Sequence, residues 1–274
     1  MLFDKVLIPV DLSDASVGQV DCIVGMRHYG LKEAVLYYAI DVGDAPTQDE
    51  RSKLEALAEK FSSADIPVKV VTEVGKPSTM ILKAAKKEKA TMIAMASSGK
   101  SKKRELVVGS VSLEVVRRSK VPVLIGKFEG GLSHKVEKCP FLLESVLISM
   151  DLGPSTKILM QTFKEIDAAG CKKAVLFHVV QSAKYSVEDD VKFQQVKEDL
   201  LKWKEGHKGT SELDTHLHYG TPAYNILEAA REFDSTLIIM GNVGKGLLHS
   251  MTLGSVSDEV LRKSPVHVLI VPVR

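Results

Sequence analysis

Residues 236–270 read TLIIMGNVGKGLLHSMTLGSVSDEVLRKSPVHVLI. The aliphatic run TLIIM (236–240) is followed at once by Gly241, then by Gly244, Gly254 and Ser255. The helical stretch SVSDEVLRKS comes next, and then a second aliphatic run, VHVLIV (266–271). Short, nearly continuous Val/Ile/Leu runs suit parallel strands buried on both faces. Strand, helix and strand in that order form one crossover unit of a parallel sheet. A tight turn needs one glycine or two. Three with a hydroxyl behind them read as backbone kept bare for a ligand, or as turn glycines followed by a serine helix cap.

The same unit occurs earlier. GKSKKRELVVGSVSLEVVRRSKVPVLI (99–125) matches GKGLLHSMTLGSVSDEVLRKSPVHVLI (244–270), with Gly109 and Gly254 145 residues apart. VGKPSTMILKAAKKEKATMIAM (74–95) matches YGTPAYNILEAAREFDSTLIIM (219–240) at the same offset. VLIPVDLSDAS (6–16) matches VLISMDLGPST (146–156), with Asp11 and Asp151 140 residues apart. Three blocks in one order at a near-constant offset make this one domain written twice. The domains are expected over 1–128 and 140–274, joined by FEGGLSHKVEKCPFLLE (128–144), which is rich in Gly, Pro and charge.

Each half carries five strand-like runs. They are KVLIPV, AVLYYAI, IPVKVVTE, TMIAM and VPVLIG in the first, and SVLISM, KAVLFHVV, DTHLHYG, TLIIM and VHVLIV in the second. Helical patterns separate them. The expected fold is α/β: two tandem repeats of a five-stranded, parallel, doubly wound sheet flanked by helices. In such sheets ligands bind beyond the carboxyl ends of the strands, where strand order reverses. Gly241 sits at such an end.

A length of 274 residues suits two domains, and 45% apolar with 26% charged residues is ordinary for a globular chain. A net charge of +2 points to neither nucleic acid nor an anionic membrane. Cys22, Cys139 and Cys171 form no CxxC pair and read as reduced thiols. No apolar run approaches the roughly 20 residues of a membrane span, and a cytoplasmic protein is expected. Bare amides at a helix N-terminus favour an anion, through unpaired N–H groups and the helix dipole.

The spacing G-x2-G-x9-G-S after the fourth strand, with a VLIPVD-type first strand ending in aspartate, resembles the universal stress protein family. The resemblance covers both halves. It implies an adenine nucleotide alpha hydrolase-like α/β fold, ATP or AMP as ligand in many members, and pairing of domains or of two chains through the last strand. In the second half it implies Ser149, Met150 and Asp151 at the end of the first strand, beside adenine or ribose, and Val179 against the base. Met240 and Gly241 would border the base and ribose, and Gly244, Gly254, Ser255 and Val256 the phosphates. In the first half the matching positions are Pro9, Val10, Asp11, Ala39, Met95, Ala96, Gly99, Gly109, Ser110 and Val111. Mg2+ could accompany the phosphates. Nucleotide is expected to order the loops 99–109 and 244–254.

The chain departs from the pattern in three places. Ala96 stands for the first glycine and is expected to narrow the first site or change the pose. Ser149 stands for a proline, and Gly153 for a serine. Lys100, Lys102, Lys103, Arg104, Lys245 and His249 lie in the glycine loops, as phosphate contacts or as solvated charge. GKS (99–101) is no P-loop, because position 94 is Ala. His216 and His218 share a strand face but lack a third metal ligand. His178 reads as a core histidine and Trp203 as helix packing. KAAKKEKA (83–90) reads as a solvated helix face, with a basic patch for an acidic partner as the alternative. No nucleophile–base pair stands out. The expected function is a non-catalytic nucleotide-binding regulator. The alternatives are a slow ATPase or phosphotransfer enzyme, and an interaction protein that has lost its nucleotide.

Overall fold

The computed structural model describes residues 1–40, 45–97, 108–127, 141–153, 155–181, 187–243 and 252–273. The chain forms two compact units, Met1–Phe141 and Leu142–Arg274. The first contains β1 (Lys5–Val10), α1 (Asp14–Gly25), β2 (Glu33–Ile40), α2 (Gln48–Ser62), β3 (Val68–Val74), α3 (Pro77–Lys87), β4 (Met92–Ala96), α4 (Ser110–Arg118) and β5 (Val123–Gly126). The second contains β6 (Ser145–Ser149), α5 (Ser155–Ala168), β7 (Lys173–Val180), α6 (Val187–Glu205), β8 (Glu212–Tyr219), α7 (Pro222–Glu232), β9 (Leu237–Gly241), α8 (Ser255–Lys263) and β10 (His267–Val271). All ten expected strands are present, displaced by two residues or fewer at their ends.

Within the first unit the strand order is β3-β2-β1-β4-β5, and within the second β8-β7-β6-β9-β10. The ladders within each unit are parallel. The registers repeat as well: Leu7 faces Ile93, and its counterpart Leu147 faces Ile238. The central strands are sealed on both faces. Val6, Leu7, Ile8, Ile93, Val146, Leu147, Ile148 and Ile238 are all fully buried. Each such side chain contributes about 1.5–3 kcal/mol of apolar burial. The expectation of two-sided burial does not extend to β3, an edge strand whose Val70 and Val74 are exposed. With a neighbour on one side only, it carries Lys, Thr and Glu between its valines.

Local signals fix the connections. Gly75 (φ +143) and Gly220 (φ +124) turn β3 and β8 into the next helix, a conformation closed to most side chains. Pro77 and Pro222 then open α3 and α7, where no N–H is needed. Ser13 caps α1, its hydroxyl accepting from the Ser16 amide. Thr47 and Glu50 close a reciprocal capping box on α2. Cys22 is disulfide-bonded, against the expectation of reduced thiols throughout; folding can bring together cysteines that lie far apart in sequence. Cys171 is free, and burial pushes its thiol up to about 12. Among the described residues no helix is long and apolar enough to cross a membrane.

Glu114 ties the start of α3 to α4. It pairs with Lys76 and Arg118, each at 2.9 Å, and accepts from the Ser78 hydroxyl at 2.8 Å. These donors, Lys76 foremost, hold the carboxyl at about 2 against an ordinary 4.5. The counterpart Glu259 pairs with Lys263 at 2.7 Å, and Thr221 and Ala223 replace Lys76 and Ser78. Because the folded value lies below the unfolded one, Glu114 stabilises above about pH 4.5 and ceases to do so as pH falls through about 2. Glu114→Gln is therefore expected to lower Tm at pH 7, by the small amount usual for solvated pairs. The difference from the parent should close between about pH 4.5 and 2 in a pH series of thermal melts.

Candidate functional site

From β1 and β4 the first sheet is built outward in opposite directions, so their carboxyl ends diverge into a crevice. The crevice is a cleft of about 730 Å³. Pro9, Val10 and Asp11 reach it from the end of β1, and Ala39 from β2. Met95 and Ala96 reach it from β4, and Gly109, Ser110 and Val111 from the start of α4. In the second unit the equivalent cleft measures about 490 Å³. Ser149, Met150 and Asp151 line it, with Val179 from β7, Met240 and Gly241 from β9, and Gly254, Ser255 and Val256 from α8. Gly99 and Gly244 lie outside the described residues, as do the loop cations Lys100, Lys102, Lys103, Arg104, Lys245 and His249 and most of the loops 99–109 and 244–254.

One pair of hydrogen bonds sets the helix starts. The Gly109 amide donates to the Ser97 carbonyl at 2.9 Å, and the Gly254 amide to the Asn242 carbonyl at 2.9 Å. Each bond pins a helix start to the end of the preceding strand. A second tie follows one turn later: the Ser112 hydroxyl donates to the Ala96 carbonyl at 3.3 Å, and the Ser257 hydroxyl to the Gly241 carbonyl at 2.8 Å. The N-caps are the glycines themselves, and neither helix has a side-chain cap. Ser110 and Ser255 therefore stand at the first helical position, with exposed side chains, and are not the N-caps of the simpler reading. The first amides of both helices are left for another acceptor. The glycine amides themselves are engaged with the protein and are not free for a ligand.

The glycines have different reasons. Gly109 has φ −64, open to any residue, and among the described residues a Cβ built on it would meet no atom within 4 Å. Neither turn geometry nor packing against the described residues demands glycine there. At Gly241 a Cβ would lie 3.1 Å from the Val243 carbonyl oxygen and 3.2 Å from Val273. The protein's own packing crowds any side chain at Gly241, which also lines the cleft. Ala96, at the equivalent position, lines the cleft of about 730 Å³, against about 490 Å³ in the second unit.

The two aspartates are held alike. Asp11 Oδ1 accepts from the Ser13 amide at 3.0 Å and from the Ser13 hydroxyl. Asp151 Oδ1 accepts from the Gly153 amide at 3.0 Å and from the Ser155 hydroxyl. The hydroxyl lost where Gly153 replaces serine is supplied two residues later. Leu12 (φ 60) and Leu152 (φ 52) follow the aspartates in left-handed backbone, a strained conformation for leucine. Such strain persists where the surrounding structure enforces it, as functional sites do. In each case Oδ2 has no described partner.

Some lining residues escaped the sequence reading. Tyr38 donates to Glu50 at 2.5 Å in the first cleft, adding a second carboxylate beside Asp11. At the matching position of the second cleft, Nδ1–H of His178 donates to the Met150 carbonyl at 2.6 Å. His178 is thus a satisfied histidine, but at the cleft wall and not in the core. Glu50 could have been found from its capping-box spacing to Thr47; nothing in the string places that helix beside the cleft. His216 pairs with Asp214 at 3.2 Å, and His218 packs edge-on against Phe177. Among the described residues no group of three ligands could hold a metal. Gly241→Val is expected to destabilise the second unit by about 1–3 kcal/mol, as overpacking does, whereas Ala96→Gly in the first should cost about 1 kcal/mol or less. Denaturant unfolding of the two variants tests the contrast.

Residues 29–127 and 144–272 match the model of the Universal stress protein family. The crystal structure of a universal stress protein from Archaeoglobus fulgidus DSM 4304 superposes with a TM-score of 0.78 and 27% identity, covering 100% of both chains. A putative universal stress protein from Pseudomonas aeruginosa UCBPP-PA14 shares the fold, with a TM-score of 0.73 at 14% identity over 98% of this chain and 93% of that one. A curated universal stress protein of Methanocaldococcus jannaschii is 31% identical over 98 residues, 36% of this chain and 60% of that relative. The match thus spans less than two thirds of the relative's length. With both repeats matched, each bearing the cleft at its switch point, the chain belongs to the universal stress protein family as a tandem member.

Proposed function

We propose that each unit binds one adenine nucleotide, ATP or AMP, in its switch-point cleft, and that the protein acts as a non-catalytic, nucleotide-dependent regulator. The observation that carries the reading is Gly109. It lines the cleft at an uncapped helix start, in ordinary backbone conformation, beside space that a side chain could fill without touching any described residue. Bare backbone where nothing in the protein requires it suits close approach of a phosphate.

The roles follow from position. The first amides of α4 and α8, with the hydroxyls of Ser110 and Ser255, take the phosphates; helix dipole and unpaired N–H groups both favour negative charge there. Asp11 and Asp151 are kept away from the phosphates by repulsion and accept from the ribose hydroxyls through Oδ2. Val10, Ala39 and Met95, and in the second unit Met150, Val179 and Met240, give the base an apolar berth. Mg2+ would enter with the phosphates, since no described cluster holds a metal unaided. The family resemblance extends the proposal to self-association of two chains, which sedimentation equilibrium tests directly: a mass of a single chain at micromolar concentration rules it out.

Titration calorimetry and thermal melts with ATP, ADP and AMP, with and without Mg2+, test the ligand. A ligand at 100 times its Kd should stabilise a unit by about 2.7 kcal/mol. Gly109→Val should leave the melting of the free protein unchanged and weaken binding at the first site by roughly tenfold or more, about 1.4 kcal/mol. Absence of any heat or stabilisation with all three nucleotides would sink the reading.

A further inference from the structure

A groove of about 840 Å³ lies on the first unit between the C-terminal ends of α3 and α4. Its lining runs along α3 from Thr79 to the residue before Thr91 and from the end of α4 to Val121, reaching the amino ends of β4 and β5, away from the nucleotide cleft. Five exposed cations line it: Lys83, Lys86, Lys89, Arg118 and Lys120. Arg118 pairs with Glu114 at 2.9 Å, and Glu73, near Lys83, is itself bonded to Lys87 at 2.9 Å. Among the described residues Lys86, Lys89 and Lys120 have no carboxylate within ion-pair distance.

The second repeat is an internal control. At the same five positions it carries Glu228, Arg231, Asp234, Lys263 and Pro265, two cations and two anions in place of five cations. Arg231 and Lys263 match Lys86 and Arg118, and the helix C-termini explain that recurring pair. Lys83, Lys89 and Lys120 are in excess of anything the fold requires. Lys89 also occupies left-handed backbone (φ 54), where its counterpart Asp234 (φ 45) is the better tolerated residue type.

We propose that this groove docks an acidic protein segment with apolar side chains among its carboxylates. The cations supply charge complementarity, and Leu82, Ala85, Ala90 and Val121 give the groove an apolar floor. Among the described residues no aromatic side chain lines it for base stacking, which single-stranded nucleic acid uses. Ala85 and Ala90 are buried, too recessed to enter a bilayer.

The test uses the full chain and a fluorescein-labelled peptide of alternating Glu and Leu, followed by anisotropy at low and high salt. The peptide should bind the parent protein, and binding should weaken as salt screens the exposed charges. Lys83→Glu with Lys89→Asp, which gives those positions the second repeat's residues, should lower affinity about tenfold. Lys83→Gln with Lys89→Asn removes charge at sites that tolerate those residues and should give a smaller loss with unchanged melting. Nucleotide titration of the same variants should be unaffected, so failure here is distinct from failure of the nucleotide reading. The proposal is overturned if the peptide does not bind, if both double variants bind it as the parent does, or if oligo-dT or phosphatidylserine vesicles bind this groove more tightly than the peptide.

Discussion

The site hangs on one short contact made twice: the amide of Gly109 on the carbonyl of Ser97, and the amide of Gly254 on that of Asn242. Each closes a glycine loop so that a helix begins beside the end of a central strand. Without that bond the helix start could lie anywhere along the loop, and its amides would face solvent. With it they face the crevice between β1 and β4, or between β6 and β9. The serine one turn into each helix repeats the tie, and the caps are glycine in both units. The geometry thus presents backbone polarity where sheet topology has already opened a cleft.

Because the domain is written twice, the molecule shows which features are needed and which can drift. The carboxylate on the first strand's end is held by an amide two residues on and by a hydroxyl, though the hydroxyl comes from Ser13 in one unit and Ser155 in the other. The left-handed leucine after it recurs. The first glycine of the motif does not: Gly241 is pressed by Val243 and Val273, whereas Ala96 is accommodated in its own surroundings. The cleft walls also diverge, with Tyr38 and Glu50 on one side of the duplication and His178 on the other. The two units thus share one frame and differ in their walls.

Away from the clefts the repeats part company further. Glu114 joins α3 to α4 through Lys76, Ser78 and Arg118, while among the described residues Glu259 pairs with Lys263 alone. The groove below that joint carries five cations in the first unit and a balanced set in the second. Burial keeps the cores alike, since Leu7 and Leu147 answer to the same packing. Exposed positions answer to no such constraint, and there the halves differ in charge.

The sequence by itself determined the duplication, the five strands alternating with helices in each half and the residues gathered at the switch point. The first two follow from periodicity and spacing, which the backbone must obey locally; the third came from matching the family's pattern to these positions. It also placed Asp11, Asp151 and the helix-start serines in the right neighbourhood. Only the tertiary structure decided that Gly109 stands beside open space while Gly241 is filled by its own chain, because that depends on neighbours far away in sequence. The same holds for Glu50 and His178 at the cleft walls and for the basic groove, where α3 and α4 bring together Lys83, Lys89 and Lys120. Side chains distant along the chain acquire a shared chemistry only when packing sets them side by side.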